Sequence, residues 1–247
     1  MEHTKEAIAG PHINIRADVI FNFLGVSITN SLLLSAFVFL FFGVLLVLFK
    51  RELTKKNKSG FYYFMLFVIR SVYDLFHSIL GDSIRYLFPL VGGFFFYILL
   101  QNWFGLLPGV GSVLYQGVPL LRGNNADLNA TLSLAIISVV TIQYLGIKHQ
   151  GFKGYITKFI NFSSPVAFFT GILEIISEFS RIVSFSFRLF GNIFAGEVLL
   201  AVVGFLIPAF ASFPFLVLEV FTGLIQAVVF SVLSAVLFKL AMDTSHH

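Results

Sequence analysis

The chain has 247 residues, of which 57% are hydrophobic and 11% charged, and its mean hydropathy is +0.93. Soluble domains carry about 25% charged residues, so this composition indicates an integral membrane protein. The net charge of +4 does not indicate nucleic-acid binding, because the basic residues lie beside apolar runs. The lack of cysteine excludes disulfides, thiolate chemistry and zinc binding by sulfur.

The first membrane span is predicted at residues 30–49, an apolar run long enough to cross ~30 Å of hydrocarbon as a helix. Residues 1–29 lack the basic start and the cleavage site of a signal peptide, so we expect an uncleaved external segment. The following stretch, KRELTKKNK, carries five cations against Glu52 alone. The positive-inside rule therefore places this stretch in the cytoplasm and the N-terminus outside.

Residues 61–80 are apolar but contain Arg70, Asp74 and His77 at spacings of four and three. These spacings bring the three polar groups to one face of a helix. We predict an amphipathic helix that lies in the membrane plane or packs against a partner. A sixth membrane span is the alternative.

A transmembrane hairpin is predicted at residues 86–107 and 128–147. Pro108 and Gly109 end the first helix, and Asp127 and Asn129 are candidate caps for the second, since their side chains can accept from free first-turn amides. The loop after the second helix contains three lysines and no acid. It is therefore predicted to be cytoplasmic, in agreement with the first charge count.

Two long apolar segments, residues 165–207 and 209–242, complete the chain, with Pro208 and Pro214 near their junction. As one helix the first segment would extend ~65 Å, about twice the hydrocarbon thickness. It must then tilt steeply or bend near Gly191, Gly196 or Gly204. The predicted fold is a single all-α polytopic membrane domain, residues 1–247, with about five membrane-crossing helices plus the amphipathic helix.

The first long segment carries a polar stripe, which consists of Glu174, Ser177, Arg181, Ser184 and Arg188. A charge at bilayer depth costs from ~3 to above 10 kcal/mol, so these residues need partners, water or a function. At ~100° per residue they fall within about 40° of one line, with Asn192 just beside it, whereas Glu197 points to another side. The second segment has a similar strip from Glu219 to Gln226.

Structural interpretations of these residues remain open. Glu178 and Arg181 could neutralise each other at the interface, and Glu174 could reach out to the polar headgroups. Arg188 could pair with Glu197 or Glu219 merely to join helices, and Asn192 and Gln226 could be interhelical hydrogen-bond donors. The histidines show no metal-ligand spacing and the chain has no GxxxxGK[ST] loop, so we expect no metal, cofactor or nucleotide.

Three stretches resemble one family. SFRLFGNIFAGE at residues 186–197, ADLNATLSLAI at 126–136 and GLIQAVVFSVL at 223–233 closely resemble the a subunit of F-type ATP synthases. The resemblance covers roughly residues 25–243, and its RLFGN core is highly specific. It implies a non-catalytic stator subunit with two long tilted helices against a ring of c subunits, and with peripheral-stalk b subunits and lipid as the other partners.

The resemblance also implies roles for particular residues. Arg188 matches the essential arginine that faces the c-ring, and Asn192, Glu197 and Gln226 match residues of the ion access route. Glu219 stands where some members have a histidine. This difference concerns the pH range in which the pocket would work more than the role of the residue. Glu174 would lie toward the cytoplasmic exit, and Ser184 lies one helical turn before Arg188 on the same stripe.

The expected mechanism has two aqueous half-channels that open on opposite sides and are separated by Arg188. Protons, or sodium ions, then cross only on the carboxylates of the rotating ring. The expected location is a bacterial plasma membrane with the C-terminus in the cytoplasm. A secondary transporter with a charged midplane site, or a structural scaffold, are the alternatives.

Overall fold

The computed structural model describes residues 17–23, 26–107, 109–110, 113–115, 117–159, 164–206 and 212–243. Two small antiparallel hairpins accompany the helices in these ranges. They are β1 (Val19–Phe23) with β2 (Val26–Thr29), and β3 (Leu114–Tyr115) with β4 (Val118–Pro119). The helices are α1 (Asn30–Thr54), α2 (Gly60–Leu80), α3 (Ile84–Gly105), α4 (Leu128–Gln150), α5 (Phe152–Phe159), α6 (Pro165–Leu206) and α7 (Ser212–Met242).

Within the described part of the chain, five helical segments are long and apolar enough to cross a membrane: α1, α2 continued by α3, α4, α6 and α7. Large apolar side chains cover their outer surfaces; for example, Phe39 is 74% exposed and Val166 is 75% exposed. Such a surface is stable against lipid tails and not against water. The prediction of an all-α polytopic membrane protein is confirmed.

Helix α7 lies at the centre of the bundle and packs against α2, α3, α4 and α6. Small residues let its neighbours approach closely, and Ala227 and Ala235 are fully buried. Ser234 Oγ lies 2.9 Å from Ser138 Oγ on α4, so each hydroxyl has a partner inside the apolar core. Because hydrocarbon offers no hydrogen bonds, such pairs join helices where water is excluded.

Helix α2 buries Val72, Phe76 and Leu80, which recur every four residues on the side that faces the bundle. Its polar residues lie on the outside, and Arg70 Nε is 4.0 Å from Asp74 Oδ2. One 3-10 turn, Gly81–Ser83, joins it to α3. The amphipathic pattern of the sequence therefore corresponds to a helix packed by its apolar side.

Several helix ends differ from the prediction. Helix α1 continues to Thr54 rather than residue 49, and α4 continues to Gln150 rather than 147. Long basic side chains near a helix end reach the aqueous interface, so a helix can continue past the last apolar residue. Asp127 caps α4 as predicted, and its carboxylate accepts from the Asn129 amide. Pro108 and Pro208 lie outside the described residues.

Helix α6 runs uninterrupted for 42 residues. Gly191, Gly196 and Gly204 all lie within it, and none of them ends the helix. At ~1.5 Å per residue its length is about 63 Å. Such a helix fits a layer of ~30 Å only if it is inclined or projects beyond the layer.

Helix α5 and the two hairpins are absent from the prediction. Tyr155 of α5 is buried and its hydroxyl donates to Gln143 on α4. Burial, together with the negative charges of Glu178 and Glu174, raises the pKa of Tyr155 to about 12, while Arg181 opposes the shift. The phenol therefore stays protonated at neutral pH and keeps its donor role.

The docking of α5 depends on Gly146, because a Cβ atom there would stand 2.3 Å from Tyr155 Cε2. We expect Gly146→Ala to displace the ring, at a cost of about 1–3 kcal/mol, and to free α5 from the bundle. Trypsin should then cleave the detergent-solubilised variant faster after Lys153 and Lys158. Gly154→Ala is the control, since no atom lies within 4 Å of its added Cβ. Equal cleavage of the two variants would contradict this docking.

Candidate functional site

Arg188 is exposed on the outer side of α6. Its Nη2 donates to Ser184 Oγ at 3.3 Å, one turn earlier, and its guanidinium carbon lies 5.9 Å from the centre of the Phe185 ring. Among the described residues no carboxylate lies within 4.0 Å of this guanidinium. The suggested pair of Arg188 with Glu197 or Glu219 is therefore not formed in this structure.

The predicted polar stripe faces outward along α6. Ser177, Ser184 and Arg188 are exposed, and Glu174 and Arg181 are half-buried. Arg188 is the 24th of the 42 residues of α6, far from either end. A charge in this position is costly against lipid, so another polar surface or water has to cover the stripe.

The other acids at the beginning of α6 are in ion pairs. Lys158 Nζ on α5 lies 2.7 Å from Glu174 Oε1, and Arg181 Nη1 lies 2.7 Å from Glu178 Oε1. The pair of Glu178 with Arg181 is the one suggested by the sequence. Glu174 does not extend alone towards the headgroups, because α5 brings a lysine to it.

Glu197 pairs with Arg122, which lies between β4 and the 3-10 turn Asn124–Ala126. The distance from Arg122 Nη2 to Glu197 Oε2 is 3.2 Å. Arg122 is 7% exposed although it belongs to a loop. Sequence analysis missed this residue, and the only signal was a lone cation in a loop beside a span.

Glu219 on α7 is 8% exposed, and its carboxylate lies against the backbone of α6. A Cβ atom on Gly196 would overlap the Glu219 carboxylate, so the carboxylate can occupy this position only while residue 196 is glycine. Thr222 Oγ1 donates to Glu219 Oε2 at 3.1 Å. The sequence left open whether Glu197 and Glu219 lie level; the structure brings Glu219 to the residue before Glu197.

The end of α3 holds the turn of α7 that carries Glu219. Asn102 Nδ2 donates to the Gly223 carbonyl at 2.9 Å, and Trp103 Nε1 donates to the Val220 carbonyl at 3.1 Å. Asn125 Nδ2 in turn donates to Asn102 Oδ1 at 2.7 Å. Sequence analysis assigned no such role to these side chains, although polar residues at the end of an apolar span are a signal for interhelical bonds.

Asn192 and Gln226 are half-buried, and neither side chain forms a hydrogen bond within the described part of the chain. They do not join helices in this structure, so their place in an ion route stays a prediction. No group of three potential metal-ligating side chains occurs among the described residues. The polar chemistry of the described site therefore consists of carboxylates, guanidinium groups, amides and hydroxyls.

Comparison with known proteins identifies relatives over most of the chain. A family model described as ATP synthase A chain matches residues 31–239. The ATP synthase subunit a of Syntrophobacter fumaroxidans is 36% identical over 199 residues, which are 79% of this chain and 76% of the relative. That of Gloeobacter violaceus is 38% identical over 66% of this chain and 65% of its own length. The chloroplastic protein of Oedogonium cardiacum is 33% identical over 88% and 84%.

Gly196→Ala tests the contact between α6 and Glu219. The new methyl group would overlap the carboxylate, so we expect Glu219 to leave Thr222 and the free energy of unfolding to fall by about 1–3 kcal/mol. Thermal unfolding in detergent measures the change. Gly93→Ala on α3 is the control, because no atom lies within 4 Å of its added Cβ. Equal unfolding temperatures for the two variants would be inconsistent with the contact.

Proposed function

The chain belongs to the ATP synthase A chain family, the stator subunits of the membrane sector, and we propose that Arg188 couples ion flow through this subunit to ring rotation. In this proposal protons, or sodium ions, reach a neighbouring ring of c subunits through two half-channels that do not meet. The ring carries each ion from one half-channel to the other on a carboxylate. This chain supplies the access routes and the barrier between them.

The observation that supports this role is the outward-facing Arg188. Four of the five ionisable side chains of α6 are in ion pairs with described residues, and Arg188 is the fifth. Its counter-charge must then come from outside the described residues or be replaced by water. An acidic ring surface that moves past α6 would supply it.

Arginine suits a barrier between two aqueous routes. Its pKa exceeds ~12, so the side chain keeps its charge and does not itself pass protons. At ~4 Å and an effective dielectric of 20, it attracts a carboxylate by about 4 kcal/mol. Membrane potential supplies only ~2.3 kcal/mol per charge per 100 mV. Water or a gap therefore has to weaken the pair, because a dry contact would hold the ring still.

Glu197 and Glu219 would form the site of the outer half-channel where an incoming proton is accepted. They come from different helices, yet the Glu219 carboxylate contacts Gly196 beside Glu197. Asn192 and Gln226 lie nearer the middle of α6 and α7 than the two acids, and would line the way towards Arg188. Polar side chains on such a path can hold water between the acids and the ring.

Glu174 and Ser184 would belong to the inner half-channel. Both lie on the Arg188 side of α6, and Glu174 is ~21 Å from Arg188 along the axis at helical rise. Lys158 Nζ lies 2.7 Å from Glu174 Oε1 and neutralises it. A proton that leaves the ring would pass along this face to the cytoplasm.

The proposed orientation has the N-terminus outside and the C-terminus in the cytoplasm of a bacterial cell. The cationic end of α1 and the lysines around α5 would then lie on the same, cytoplasmic side. The proposed partners are the c-ring along the polar stripe of α6 and the b subunits of the peripheral stalk. Neither nucleotide nor nucleic acid binding is proposed.

Arg188→Ala should abolish coupling. In vesicles that contain the assembled complex, we expect ATP-driven proton pumping to fall at least about tenfold, equivalent to ~1.4 kcal/mol, because the barrier charge is lost. Arg70→Ala removes an exposed arginine of α2 and should leave pumping near the wild-type rate. Coupled pumping that persists in the Arg188 variant would refute the barrier role.

Glu219→Gln should slow proton uptake from the outside, because an amide can neither accept nor release the proton. We expect passive proton conduction and ATP-driven pumping to fall together by about tenfold or more. Asp74→Asn is the control, since this carboxylate is 67% exposed on α2. Normal conduction in the Glu219 variant would exclude the side chain from the route.

A further inference from the structure

Arg122 is a buried cation supplied by a loop. It is 7% exposed, and its Nη2 lies 3.2 Å from Glu197 Oε2 and 3.4 Å from the Ala126 carbonyl. A buried guanidinium is destabilising unless its charge is compensated, and among the described residues Glu197 is the carboxylate within 4.0 Å. The loop and α6 are therefore joined by a charge pair.

The loop that carries Arg122 is itself held by α3. In the turn Asn124–Ala126, Asn124 Nδ2 donates to Tyr97 Oη at 2.9 Å, and Asn125 Nδ2 donates to Asn102 Oδ1 at 2.7 Å. Both asparagines are buried, so these bonds exchange little with water. Arg122 consequently approaches Glu197 from a fixed backbone rather than from a free loop.

The hydrogen bonds that hold this loop also extend to the turn of α7 beside Glu219. Asn102 also donates to the Gly223 carbonyl, in the turn of α7 that follows Glu219. A chain of hydrogen bonds thus runs from Arg122 through the turn and α3 to α7. It sets the position of Glu197 relative to Glu219.

The two carboxylates have unequal surroundings. Glu197 faces a guanidinium, whereas Glu219 accepts from the Thr222 hydroxyl and has no cation within 4.0 Å among the described residues. We propose that Arg122 is a positioning residue of the outer half-channel, which holds Glu197 as a fixed anion and leaves Glu219 to carry the proton. This inference rests on the function proposed above.

The proton balance is simple in this arrangement. A proton from the outside is relayed through water, which takes up one proton for each one that it passes on, and protonates the Glu219 carboxylate. The resulting acid later donates one proton to a ring carboxylate. Glu197 stays ionised against Arg122 and accepts hydrogen bonds from the water that delivers the proton. No other charge has to enter the buried site.

The test compares Arg122→Gln, Arg122→Lys, Glu197→Gln and the double variant Arg122→Gln/Glu197→Gln, with ATP-driven pumping measured per assembled complex in membrane vesicles. We expect Arg122→Gln to lower pumping at least about tenfold, because it leaves the half-buried anion of Glu197 without its partner. Arg122→Lys restores the cation and should recover pumping to within about threefold of wild type. The double variant should lie within about twofold of Glu197→Gln, since interacting residues are not additive.

Unchanged pumping in Arg122→Gln would overturn the inference, as would a double variant far below both single variants. If the Arg122→Gln subunit does not assemble into the complex, the test is whether the double variant assembles. Recovery of the complex in the double variant supports the pair, because the uncompensated anion has been removed. Failure of the double variant to assemble, while Glu197→Gln assembles, shows that Arg122 acts independently of Glu197 and overturns the inference.

Arg188→Ala in the same vesicles separates this inference from the function on which it rests. Pumping by the Arg188 variant would refute the proposed function, whatever the pumping rates of the Arg122 variants. Loss of pumping in that variant, together with normal pumping in Arg122→Gln, would refute the positioning role alone.

Discussion

A charge inside hydrocarbon costs from ~3 to more than 10 kcal/mol, so each ionisable side chain of a spanning helix must be paired, hydrated or covered. Most of helix α6 obeys this rule within the chain, because Lys158, Arg181 and Arg122 neutralise its three glutamates. Arg188 has no ion pair among the described residues and is exposed on the outer face beside Ser184. In the proposed function, an acidic surface of the c-ring would cover this residue.

The two ends of the polar region are built differently. At the beginning of α6, the short helix α5 supplies the counter-charge and docks by the phenol of Tyr155. Near the other end, a buried turn and α3 supply amides, and Arg122 of the adjoining loop supplies a guanidinium, which together organise two carboxylates. The first group is thus held by a neighbouring short helix, and the second by hydrogen bonds from a loop and a long helix.

Much of the fold was predictable because spans and charged loops leave one-dimensional signals. Apolar runs of about 20 residues marked the membrane helices, and helical periodicity brought Glu174, Ser184 and Arg188 to one face. Helix α5 and the hairpins were missed because they are short, with eight residues in α5 and two to five in each strand. The helix ends were placed too early where basic residues extend α1 and α4 into the interface.

The sequence by itself determined the membrane class, the apolar segments long enough to cross a membrane and the Arg188 stripe, since each depends on local composition or on spacing within one helix. Tertiary structure alone decided that Arg122 pairs with Glu197 and that Glu219 lies against Gly196. The first contact joins residues 75 positions apart. Such contacts depend on how helices and loops pack against one another, and no spacing along the chain specifies that packing.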